Sequence, residues 1–86
     1  MKTLMLEIPE YSLEVGFKHS WEDGFKISFE NNEGQVVIKA NREGLISLAK
    51  QLLTLSEENV PTGTHFHLDE HNSLEQGSIE LIIERE

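Results

Sequence analysis

Cysteine is absent from the 86 residues. Disulfides, cysteine-ligated zinc, iron–sulfur clusters and thiol catalysis are excluded together. No apolar window approaches the roughly 18 residues that mark a membrane helix. The opening Met1-Lys2-Thr3-Leu4-Met5-Leu6-Glu7 offers one Lys and three large apolar side chains before a Glu. That is too short for a secretory signal, so the expected location is the cytoplasm of the producing cell. Basic residues are scarce: 7 Lys and Arg stand against 16 Asp and Glu, a net charge of −9. Such a field repels phosphate backbones and anionic lipid, which argues against nucleic-acid or membrane binding and favours a basic partner. Length is short too. A chain this size buries only about 60–65% of the surface its unfolded form exposes, room for one domain over residues 1–86 and one core. A large self-contained active-site cleft does not fit. Hydrophobic residues still make up 37% and are spread along the chain, unlike a disordered acidic tail.

The first half alternates. Leu13, Val15 and Phe17 are separated by Glu14 and Gly16, and Phe25, Ile27 and Phe29 by Lys26 and Ser28. A period of two predicts half-buried strands. Asp23-Gly24 and Asn31-Asn32-Glu33-Gly34 read as turns, and Gln35 to Ala40 as a third strand with Val36, Ile38 and Ala40 on one face. Leu4 to Ile8 adds a sixth candidate strand, stopped by Pro9. The period then changes. Leu45, Leu48, Ala49, Leu52 and Leu55 recur at helical spacing, with Asn41 as the N-cap and Glu43 in the first turn. The helix is expected from Arg42 to about Glu57. Strands follow at 64–69 and 78–84. The order β-β-β-α-β-β predicts an α+β fold, a mainly antiparallel sheet of five or six strands with one long helix across one face.

His65, His67 and Asp69 form the most pointed constellation. At i, i+2 and i+4 on a strand, all three face the same way, with Phe66 and Leu68 turned to the core. His-x-His is a workable pair of ligands for zinc, copper or nickel, which makes a small metal-binding module the alternative reading. Against it, i and i+4 on a strand lie about 13 Å apart. A His near a carboxylate also suits general-base work, yet no nucleophile motif or phosphate loop accompanies it. No enzyme, no catalytic residue and no cofactor are expected. Trp21, the only tryptophan, is either a cap on the core or a contact anchor. Val37 and Ile82, beside His65 and His67, predict a partly apolar open face for a partner or for a homodimer. The negative charge is uneven: residues 57–86 carry −7 and residues 1–56 carry −2. Glu70, Glu75, Glu80 and Glu84 join His65, His67, Asp69, Ile82 and Trp21 as candidate partner-binding residues.

The run Asn41-Arg42-Glu43-Gly44-Leu45, Leu48-Ala49 and Leu52-Leu53 leads into Val60-Pro61-Thr62-Gly63-Thr64-His65-Phe66-His67-Leu68-Asp69. The stretch closes on Leu74-Glu75-Gln76-Gly77-Ser78-Ile79-Glu80-Leu81-Ile82-Ile83. Over residues 41–84 it resembles small bacterial immunity proteins of polymorphic-toxin and contact-dependent-inhibition systems. The resemblance implies a cytoplasmic protein that binds and neutralises a cognate toxin domain without catalysis. The charge is compatible with a basic toxin, such as one that cuts nucleic acid.

Overall fold

The computed structural model describes all residues, Met1–Glu86. Its elements are β1 (Ile27–Asn32), β2 (Gln35–Ala40), α1 (Arg42–Leu55), β3 (His65–Leu68) and β4 (Leu81–Glu84). The architecture is α+β, with two antiparallel two-stranded sheets, β1–β2 and β3–β4, in place of the single sheet of five or six strands. β1 and β2 turn at Glu33 and Gly34, both left-handed at φ 51° and 86°. Two positive-φ residues between paired strands suit the right-handed twist of a hairpin. The register sets Ile27 opposite Ala40 and Phe29 opposite Ile38.

The two sheets do not merge because an irregular segment lies between them. The amide of Glu75 donates to Ile27 O (2.8 Å) and that of Ile79 to Phe29 O (3.0 Å). The Phe29 amide donates to the Ser78 hydroxyl (3.1 Å) rather than to a carbonyl. A side chain substituting for backbone breaks the ladder while still satisfying the edge of β1. The expected strand over 78–84 is therefore confined to Leu81–Glu84, and the one over 64–69 to His65–Leu68.

The amino-terminal strands expected at Leu4–Ile8 and Leu13–Phe17 do not form. The Gly16 amide closes on Ser12 O (2.8 Å), with Gly16 at φ 78°. This tight turn leaves Leu13 and Val15 in solvent. Alternation there reflects a loop, because a left-handed Gly16 bends the chain where a strand would have to stay extended.

Asn41 caps α1 as expected, its Oδ1 accepting from the Gly44 amide (2.8 Å). The same Oδ1 accepts from the Lys26 amide, and Nδ2 donates to Gly24 O. One side chain thus starts the helix and fastens it to the beginning of β1. Gly44 is required there: a Cβ would run into Lys26 O and sit 2.9 Å from Ile27 Cγ1. At the other end, Arg85 Nη1 donates to Leu55 O (2.9 Å) and Glu57 O (3.0 Å). The last turn holds no basic residue of its own, so Arg85 brings the cation that the helix terminus favours.

The buried stripe of α1 is not the leucine stripe that the spacing suggests. Gly44, Ser47, Leu48, Gln51, Thr54 and Leu55 are buried, whereas Leu45, Leu52 and Leu53 are exposed. The cause is the segment before β1. Gln51 accepts from the Ser20 amide (2.7 Å) and donates to Ser20 O (2.9 Å), and Ser47 Oγ accepts from the Glu22 amide (2.8 Å). Lys50 pairs with Glu22 at 2.7 Å. A strap without strand partners needs polar side chains for its backbone groups, and the helix supplies them. Around this strap the core gathers Tyr11, Ile27, Phe29, Leu48, Leu55, Val60, Phe66, Leu68 and Leu74.

Candidate functional site

Alternation along β3 buries Phe66 and Leu68 and sends His65 and His67 outward. The β3–β4 register sets His65 opposite Glu84 and His67 opposite Ile82. Cross-strand partners share a face, so His65, His67, Ile82 and Glu84 form one exposed surface. Glu80, just before β4, joins it: His67 Nδ1 lies 3.2 Å from Glu80 Oε2. His65 Nδ1 lies 2.9 Å from Gly63 O and 3.9 Å from Glu84 Oε1. Ile82, half exposed, is the apolar centre of this polar rim.

One end of the face opens into a small cleft of about 100 Å³ lined by His19, Trp21, His67, Leu68, Asn72 and Ser73. An aromatic ladder builds its wall. Phe17 stacks on Phe66 (5.1 Å), His19 on Trp21 (5.5 Å) and Trp21 on Phe25 (4.6 Å). His19 also meets Phe66 edge-on at 5.6 Å. Partial burial among these rings lowers the His19 pKa, because desolvation disfavours its charged form. No sequence motif marks His19. The alternating Phe17-His19-Trp21 was the available signal, since i, i+2 and i+4 of an extended segment fall on one side.

Other expected members fall elsewhere. β3 ends at Leu68, and Asp69 is a turn residue: its Oδ1 accepts from the His71 amide and its own amide donates to Asn72 Oδ1. That correction removes the third ligand from the His-x-His alternative. No three His, Asp or Glu side chains are grouped as a metal ion would need. Glu70 is turned to the loop, accepting from the Gly77 amide (2.8 Å). Glu75 lies beside β1, lining a wider cleft with Lys26 and Lys39. Val37 belongs to the other sheet, opposite Glu30, so it is not a neighbour of His65 and His67 in their sheet.

The face therefore offers carboxylate acceptors around an apolar centre, with an aromatic cleft at its edge. Those features make the β3–β4 face the candidate contact surface of an acidic chain. Residues 35–86, from β2 to the last residue, match the family model described as Immunity protein 32, and the chain belongs to that family. The resemblance to immunity proteins is borne out, and the matched region takes in β2, α1, β3 and β4 but not β1 or the strap. Comparison with curated proteins and with solved structures finds no match.

Proposed function

We propose that this chain binds and neutralises a basic toxin domain by protein–protein contact through the β3–β4 face, with no chemistry of its own, in the cytoplasm of the cell it protects. Membership of an immunity-protein family carries the reading, since it implies a toxin partner. The face and the charge supply the rest. Glu80 and Glu84 stand at about half and two-thirds exposure around Ile82, ready to accept from Arg or Lys. The surrounding residues 57–86 carry −7. Complementary fields accelerate encounter more than they add affinity, and an apolar residue at the centre supplies the desolvated contact. A nuclease toxin fits this description, because an active surface for nucleic acid is basic.

Capture from the producing cell, read beside the identity of the neighbouring gene, tests the assignment. The expected catch is a basic toxin domain whose association slows markedly between low and physiological salt. Capture of no toxin, with a metabolic enzyme encoded next door, would refute it.

A further inference from the structure

The two edges of the first hairpin are not alike. In an antiparallel pair, residues alternate between exchanging hydrogen bonds with the partner strand and directing them away from it. The Asn41 amide donates to Lys26 O, which fixes the parity. Lys39, Val37 and Gln35 face β1, and Val36, Ile38 and Ala40 direct their amides and carbonyls outward. β1 shows the same alternation: its outward carbonyls, on Ile27 and Phe29, are taken by Glu75 and Ile79. Nothing comparable covers β2. No hydrogen bond from a loop or a side chain reaches Val36, Ile38 or Ala40. Val36 and Ile38 are also exposed at 60% and 46%, although they share the face on which Phe29 and Ile27 are buried.

This edge lacks the devices that usually discourage pairing. It has no proline and no bulge, and Lys39 is its only charge, engaged with Glu30 at 3.4 Å. The free edge of β4, by contrast, is four residues long, ends on Glu84 and is flanked by Glu80 and Glu86.

We propose that the β2 edge is a self-association site, where β2 of a second copy adds antiparallel across a two-fold axis at Ile38 and makes one continuous four-stranded sheet. The axis pairs Ile38 with its own copy and Val36 with Ala40 of the second chain, so every outward group of the strand is used. The side chains of Val36 and Ile38 then close an apolar stripe across the junction. Lys39 meets Val37, not another Lys. Charge selects a second copy over the basic partner of the β3–β4 face. Residues 26–42 hold Lys26, Lys39 and Arg42 against Glu30 and Glu33, a net +1 within a chain of −9. Two copies meet here without juxtaposing their acidic carboxyl-terminal halves, and a basic toxin gains no attraction. The isologous arrangement closes at two, and the short strand makes the dimer a weak one.

Sedimentation of the toxin-free chain from low to high micromolar concentration tests this. The average mass should climb from 9.8 kDa towards twice that value. Ile38→Pro should hold it at the monomer mass, because the amide it removes points away from β1 and the hairpin is kept. Val36→Lys should act in the same direction. In the unaltered chain, amide exchange at Val36, Ile38 and Ala40 should slow with concentration, while Gln35, Val37 and Lys39 are protected throughout. A monomer at every concentration overturns the proposal. So does a dimer that survives both substitutions, or one lost only in Ile82→Lys, which would put the contact on the toxin-binding face.

Discussion

The two hairpins of this chain differ in what they expose. β1–β2 has six-residue strands, a two-residue turn and a nearly neutral surface, and its distinguishing feature is unpaired backbone along one edge. β3–β4 has four-residue strands joined by a long connection, and its distinguishing feature is a set of side chains: two histidines, two carboxylates and an isoleucine. α1 is fastened to both, through Asn41 and Gly44 at its start and through Arg85 at its end. A small core thereby supports two surfaces of opposite character. Backbone suits a partner that is itself a strand; fixed charges suit a partner of the opposite sign.

Breaking the first fastening should have the largest effect. Gly44→Ala forces a methyl group into Lys26 O, and overpacking should outweigh the gain in helix propensity, costing about 2–3 kcal/mol in urea unfolding. An unchanged midpoint would show that the helix shifts freely against β1. Arg85→Ala breaks the second fastening. It releases the Leu55 and Glu57 carbonyls at a partly solvated helix end, at a cost of about 1 kcal/mol in the same measurement.

Acid should weaken the side that holds the strap. The His19 pKa is lower folded than unfolded, so the unfolded chain takes up the proton first. Its contribution is complete above the ordinary value of about 6.5 and is lost as pH falls from there to the folded pKa. His19→Gln should flatten the fall in Tm in that window, and an equally steep fall in the variant would assign it to other groups. The smallest stability change belongs to the exposed β3–β4 face. Glu80→Gln with Glu84→Gln should move stability by less than about 0.5 kcal/mol, as exposed pairs do. A larger loss would make the face a structural element.

Much of this was legible from residue order, and unevenly. β2 and the start of α1 fall where periodicity and Asn41 put them, and His65, His67 and Ile82 share the expected face. Elsewhere local pattern lost to tertiary demand. Leu45 and Leu52 promised the buried stripe, but the strap at Ser20 and Glu22 needed hydrogen bonds, and Ser47 and Gln51 turned inward to make them. Asp69 left the histidine row because a turn amide claimed its carboxylate. The Phe17-His19-Trp21 spacing puts three rings on one side, but that they pack beside His67 is set by tertiary stacking on Phe66 and Phe25.

The central proposal is that the β3–β4 face contacts the toxin. Protection of growth in cells expressing the cognate toxin domain reads this out. Glu80→Lys with Glu84→Lys should abolish protection in a chain that still folds, while Leu45→Glu, on the exposed helix surface, should leave it intact. Full protection by the charge-reversed chain would contradict the assignment.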